Sequence, residues 1–137
     1  MEKVFVLEIV TPYGLVVNAE VREVYIPGSQ GDLDVLPGHA PLMTTLRTGG
    51  LHYRQGKEVH FVAVNRGFAE VTATKTTILT DTAESADAID VERAQKAKSR
   101  AEERLGTTRR SDPSYNEGLE ALERAEARLR VAAKGRS

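Results

Sequence analysis

A chain of 137 residues is long enough for one packed core and a small appendage. It has no cysteine, which excludes a disulfide framework, thiolate chemistry and cysteine-ligated metals, and agrees with a reducing compartment. A formal net charge of −1 argues against nucleic acid as a partner. No apolar run approaches the ~20 residues that cross a bilayer, and the start of the chain has neither the basic region nor the apolar core of an export signal, so any work at a membrane needs another chain to hold this one there.

The first part of the chain is rich in Val, Thr, Leu and Gly, with turns at short intervals. Residues 3–10 alternate loosely up to the turn at Thr11-Pro-Tyr-Gly14. Strands are expected at 15–17 and 21–26, the second ending at Pro27-Gly28, and a short one at 33–36. Pro37 has no amide hydrogen and a fixed φ, Gly38 permits backbone angles that other residues avoid, and Pro41 restarts the chain, so His39 is presented at a bend. Further strands are expected at 42–47, 51–54, 59–64, 68–73 and 77–80, with Gln55-Gly-Lys-Glu58 as a hairpin loop. Phe68, Ala69 and Val71 are the apolar members of their strand. Many short strands with frequent turns predict a sandwich or flattened barrel over residues 1–84.

Residues 85–137 switch to Ala, Glu, Arg and Lys and read as an antiparallel two-helix hairpin. The overall class is therefore α+β, an all-β domain followed by a helical one. Asp87 and Asp90 give an acidic capping pattern; Ala94, Ala97, Ala101 and Leu105 share one face; Gly106 is a natural stop. Asp112 is placed to cap a second helix with Pro113 at its first position, and Leu119, Leu122, Ala125, Leu129 and Ala132 form its stripe. Glu92/Lys96, Glu120/Arg124 and Glu126/Arg130 are i,i+4 pairs with the acid first. Burying alanine recovers little apolar area, so this hairpin is marginal alone and is expected to dock on something or to come apart and extend.

Little in the chain looks catalytic. No nucleophile elbow or phosphate loop occurs, and no serine has an evident histidine partner. His52 and His60 read as ordinary strand histidines rather than metal ligands. The remaining constellation is basic. Arg93 and Arg100 lie two turns apart on the first helix, Arg124 and Arg128 one turn apart on the second. With the helices side by side, four guanidiniums would converge in a geometry that suits phosphate oxygens, while Asp90 could accept from an adenine amino group or a ribose. Spacing alone favours solvated faces with local glutamate partners.

Larger motifs then point in one direction. Pro27-Gly-Ser-Gln-Gly-Asp-Leu-Asp-Val-Leu-Pro-Gly-His-Ala-Pro-Leu42 is followed in order by Thr48-Gly-Gly-Leu51, Asn65-Arg-Gly-Phe-Ala-Glu-Val71, Leu79-Thr-Asp-Thr-Ala-Glu84 and Ile89-Asp-Val-Glu-Arg-Ala94. Over its whole length the chain resembles the epsilon subunits of F-type ATP synthases. It departs from the family at Asp34, where Gly is usual, and at Asn65-Arg66 before Gly67, where a small residue is common; both are surface turns.

The resemblance implies a non-catalytic rotor subunit that binds gamma in the central stalk and rests on the ring of c subunits. Ser29, Gln30, Gly31 and Asp32, with His39, match the region that contacts the ring, where an exposed Asp32 carboxylate would pair with basic loop residues. The helical domain of such subunits restrains ATP hydrolysis when extended along gamma toward the catalytic alpha and beta subunits, where Arg109, Arg110, Arg124 and Arg128 would meet acidic surfaces. Folding of the hairpin releases the restraint. Some bacterial members bind ATP in the folded hairpin through an Ile/Leu-Asp-x-x-Arg-Ala motif. Ile89, Asp90, Arg93 and Ala94 match it, Arg100, Arg124 and Arg128 match downstream basic positions, and Glu84 an upstream acidic one. Glu117 stands where a further arginine is expected. One charge-assisted hydrogen bond is worth about 1.5–3 kcal/mol, so the exchange weakens such binding about tenfold or more. The resemblance thus implies regulatory ATP rather than a required cofactor, and a peripheral place on the cytoplasmic face of the cell membrane, held there by the complex; the absence of cysteine and of clustered carboxylates predicts no metal site. The alternative is an autonomous ATP-sensing module without a synthase partner.

Overall fold

The computed structural model of the chain describes residues 3–135. Ten strands come first: β1 (Phe5–Thr11), β2 (Gly14–Val21), β3 (Glu23–Ile26), β4 (Leu33–Val35), β5 (Leu42–Leu46), β6 (Gly49–Gln55), β7 (Glu58–Val64), β8 (Gly67–Val71), β9 (Lys75–Thr80) and β10 (Ala83–Ser85). A single 3-10 turn over Ala86–Ala88 leads to helices α1 (Val91–Thr107) and α2 (Tyr115–Gly135). The strands form two five-stranded sheets, ordered β2-β1-β9-β8-β5 and β10-β7-β6-β3-β4. All pairings are antiparallel except β1 with β9. The expected all-β domain with a trailing helical pair is therefore a sandwich.

Strand alternation builds its core. In β1, Phe5, Leu7 and Ile9 point inward and meet Val24, Ile26, Leu51 and Val62 from the other sheet, all of them buried. The expected strand over 21–26 is two strands, because the chain crosses between sheets at Arg22. The strand expected at 51–54 starts earlier than its apolar residues suggest, since Gly49 and Gly50 lie within β6. Strand β10 has no period long enough to be seen in the sequence, since it is only three residues long. The β7–β8 corner needs its glycine: Gly67 has a φ of 137°, and a Cβ there would collide with the Leu79 carbonyl.

Both helix boundaries differ from the sequence expectation. Gly106 does not stop α1; Thr107 and Thr108 close its last turn, with Thr108 Oγ1 donating to the Arg104 carbonyl at 2.7 Å. Asp112 does not cap α2. Its Oδ1 accepts from the amide and hydroxyl of Ser114 at 2.9 and 2.8 Å, an Asx turn that delays the helix to Tyr115 and holds this carboxyl below the usual carboxylate range. Asp90 does cap α1, accepting from the Arg93 amide at 3.0 Å.

The hairpin packs on the outer face of the sheet containing β6 and β7. Val131 and Ala132 of α2 join Ala63, Ala86 and Ile89 in a second buried cluster, flanked by Phe61 and Val91. Gly50 makes the seat: a Cβ there would stand 3.1 Å from a Val131 methyl. The predicted stripe of α2 is partly wrong. Leu119 is exposed, while Gly118, Ala127 and Val131 are buried, because α2 faces both α1 and the sheet. Ion pairs tie the seam. Arg66 grips both carboxylate oxygens of Glu120 at 3.1 and 3.4 Å, so Glu120 reaches across to the sandwich rather than to Arg124. The Glu92–Lys96 pair forms as its spacing predicts, at 3.3 Å.

Candidate functional site

Strand β10 lies antiparallel to β7 with Glu84 opposite Ala63, which puts its carboxylate on the face that receives the hairpin. There it meets Arg128 of α2, whose Nε is 2.7 Å from Oε1 and whose Nη2 donates to Oε2 at 3.3 Å. Both side chains are largely covered, so this pair is less screened than a surface one. Around it opens a cavity of about 350 Å³, walled by Glu84, Arg93, Arg124 and Arg128 and by the polar groups of Thr48, Asn65 and Thr82. A second groove of about 270 Å³ runs between the helices over Ala97, Ala101, Ala121 and Ala125, lined by Arg100, Arg104, Arg124 and Arg128. Arg124 and Arg128 border both.

The residues singled out by sequence thus separate into walls and anchors. Glu84, Arg93, Arg124 and Arg128 come together in one cavity, with Arg100 in the adjoining groove. Ile89 is buried in the cluster under α2, Ala94 is fully buried, and Asp90 spends one carboxylate oxygen on the helix cap. Those three hold α1 in place, and Arg93 is the motif residue that reaches the cavity wall. Glu117 pairs with Arg104 across the hairpin at 2.9 Å. Among the described residues, Arg93, Arg100 and Arg124 have no carboxylate partner, so the two spaces carry a surplus of guanidinium charge that suits a polyanion. The sequence reading missed Arg104, although it stands one turn from Arg100. It also missed Thr48 and Asn65, joined by a 2.9 Å hydrogen bond from Thr48 Oγ1; they come from separate turns and share no periodicity.

The loop between β3 and β4 exposes Ser29, Gln30, Gly31 and Asp32. His39 belongs to the next turn, half-buried, with Nδ1 2.8 Å from the Ala40 carbonyl. The Asp32 carboxylate is not free: Oδ1 is ion-paired with Arg47 and Oδ2 accepts from the Tyr25 hydroxyl at 3.1 Å. Arg47 holds this carboxyl below the usual range.

The opposite side of the sandwich carries an apolar row that the sequence did not reveal. Leu15, Val10, Leu79 and Phe68 stand in register across β2, β1, β9 and β8. Leu15, Leu79 and Phe68 are 54%, 50% and 54% exposed, and a shallow space of about 320 Å³ opens beside them. Phe68 points outward because Ala69 points in, and neighbours on a strand cannot share a face. The row leaves apolar side-chain area in water on this face.

Comparison with known proteins agrees across both parts of the chain. Residues 4–86 match the family described as ATP synthase, Delta/Epsilon chain, beta-sandwich domain, and residues 87–133 match ATP synthase, Delta/Epsilon chain, long alpha-helix domain. An ATP synthase epsilon chain 2 from Syntrophotalea carbinolica is 46% identical over 129 residues, covering 94% of each chain. An ATP synthase epsilon chain from Geobacter metallireducens is 45% identical over 128 residues, covering 93% of each. Among solved structures, a chain of the Euglena gracilis mitochondrial ATP synthase, OSCP/F1/c-ring, superposes with a TM-score of 0.81 at 25% identity, over 95% of this chain and 81% of that one. A chain of the Tetrahymena thermophila mitochondrial ATP synthase central stalk/c-ring shares the fold at a TM-score of 0.54 and 15% identity, over 97% and 96% of the two chains.

Proposed function

Since the chain belongs to the ATP synthase delta/epsilon chain family, as an epsilon-type member matched over both sandwich and helices, we propose that it is a non-catalytic rotor subunit of the central stalk. It joins gamma to the ring of c subunits and restrains ATP hydrolysis with its helical hairpin. No helix among the described residues is long and apolar enough to cross a membrane. In this reading the chain sits peripherally on the membrane complex, at the cytoplasmic face of the cell membrane.

The single observation that supports the rotor reading best is the division of the sandwich into two opposed outer faces. One is covered by the hairpin. The other presents Leu15, Leu79 and Phe68 to solvent, apolar area that a permanent partner would remove from water. Gamma takes this face. The β3–β4 loop and the turn bearing His39 meet the ring. The hairpin exchanges between its docked form and an extended form that reaches the alpha and beta subunits.

ATP belongs to the docked form. Its phosphates lie against Arg93, Arg100, Arg124 and Arg128, with Glu84 holding Arg128 in orientation. A ligand that binds only the docked form stabilises it in proportion to its saturation. ATP is therefore a regulatory ligand here, not a cofactor for chemistry.

The gamma interface is tested by mixing the purified chain with the gamma-containing catalytic complex. A Phe68→Glu/Leu79→Glu double variant places two charges in the apolar row without disturbing buried residues. It is expected to fold with unchanged circular dichroism and to lose binding at least about tenfold, the direction expected when charges enter an apolar contact. Undiminished binding would remove gamma from this face.

A further inference from the structure

The loop proposed to face the ring is shaped by a clamp within this chain. Gly28 begins a tight turn, with the Gly31 amide donating to the Gly28 carbonyl at 3.2 Å; a Cβ at Gly28 would strike the Gly31 carbonyl. The Ser29 amide donates to the Thr45 carbonyl at 2.9 Å, and the Arg47 amide to the Pro27 carbonyl at 3.0 Å. The Arg47 guanidinium then joins the two ends of the loop. Its Nη1 donates to the Gly28 carbonyl at 3.1 Å and is ion-paired with Asp32 Oδ1. On the far side of Asp32, Oδ2 takes the Tyr25 hydroxyl, whose ring is stacked on His52 in a nearly parallel arrangement with centroids 4.9 Å apart. Two other pieces of chain, strand β3 through Tyr25 and the end of β5 through Arg47, therefore converge on one carboxylate.

We propose that Asp32 is a positioning residue: it fixes the shape of loop 28–32 through Arg47 and Tyr25 and does not itself meet a partner's charge. The inference rests on the reading of this loop as ring-facing. It departs from the expectation that an exposed carboxylate at this turn pairs with basic residues of the ring. A carboxylate with both oxygens engaged, one of them by a guanidinium, has little Coulombic attraction left for a second cation. What the loop then offers the ring is its backbone and the Gln30 side chain, presented in a fixed geometry, with the Ser29 hydroxyl itself hydrogen-bonded to Thr45 Oγ1. The depressed titration of Asp32 agrees, because the ionised form is the one the clamp stabilises.

The test separates position from charge. Asp32→Asn, Arg47→Ala and the exchanged pair Asp32→Arg/Arg47→Asp are made in the full chain. Amide hydrogen exchange at Ser29 and Gly31 reads the loop, and exchange in β1 and β9 verifies that the sandwich is intact. Ion pumping per ATP hydrolysed, in the reassembled synthase, reads the function. Each single variant is expected to speed loop exchange about tenfold and to lower pumping, while the exchanged pair recovers part of both, since its ion pair can re-form although the donations to the Gly28 carbonyl and from the Tyr25 hydroxyl cannot. Single variants that leave loop exchange unchanged would overturn the clamp. An exchanged pair that restores loop protection but pumps as poorly as the single variants would show that the ring reads the Asp32 charge, and would overturn the proposal. If the loop loosens and every variant pumps normally, the clamp stands and the ring-facing reading of the loop fails instead.

Discussion

Ile89, Asp90, Arg93 and Ala94 form one sequence motif but do different work. Ile89 and Ala94 are packing contacts, Asp90 is a helix cap, and Arg93 supplies charge at the cavity wall. His52, read from sequence as an ordinary strand histidine, has a larger part. It lies between the rings of Tyr25 and Phe61, beneath the end of α2. Burial lowers its pKa from the ordinary 6.5, and the Lys134 ammonium and Arg54 push the same way against Glu23 and Asp34. Arg47, Arg130 and Asp32 border the same space. The fold therefore accommodates the neutral ring. Above 6.5 folded and unfolded chains are both neutral at this residue. As the pH falls through that value the unfolded chain binds the proton more readily, and stability is lost until the lowered native value is passed. Melting temperatures taken between about pH 7.5 and about pH 5 should fall more steeply for the wild type than for His52→Gln. Equal slopes would show that His52 does not couple to folding.

At the scale of elements, docking of α2 depends on small residues. Ala127, Val131 and Ala132 are buried, and Gly50 and Ala63 leave room for them. A side chain at position 50 projects into that seat and not into the sandwich core, and Gly50 has no left-handed backbone angle to lose. Gly50→Leu is therefore expected to wedge α2 away while the sandwich keeps its own melting transition. The seat loses the contacts of Val131 and Ala132, about 1–3 kcal/mol in an overpacked site. Proteolysis after lysines and arginines of α1 and α2 should accelerate, with strands β1–β9 protected; unchanged protection of the helices would contradict the docking. The composition switch, the two helices and most strands were legible in the sequence because hydrophobic period and glycine turns report them directly. The outer stripe of α2 was not. A helix that touches a partner helix on one side and a sheet on another has two buried faces, and a single 3.6-residue stripe cannot represent both. The ends of the helices were misread for a related reason: Thr108 and Ser114 settle them through side-chain hydrogen bonds that composition does not order.

In the whole molecule, the hairpin and the exposed apolar row occupy opposite outer faces of one sandwich, so both are accessible at once. The hairpin is held down by the Arg66–Glu120 and Arg128–Glu84 pairs and by a modest apolar cluster. The exposed Arg66–Glu120 pair is worth about 0–1 kcal/mol and buried alanines add little, which leaves the covered Arg128–Glu84 pair as the main polar tie and makes the docked form one that a ligand at that pair can tip. The arginine spacing on each helix was visible in the sequence, but the convergence of those arginines with Glu84 depends on how the helices lie on the sandwich, which no local pattern encodes. In the proposed function this convergence is an ATP site that stabilises the docked hairpin. The direct measurement is a calorimetric titration of ATP into the full chain, beside an Arg93→Ala/Arg124→Ala variant whose replaced side chains line the cavity without a carboxylate partner. Saturable heat is expected for the wild type and a loss of affinity of about tenfold or more for the variant, as for charge-assisted contacts. No heat at millimolar ATP, or equal heat for both proteins, would contradict it and leave the arginines to protein contacts alone.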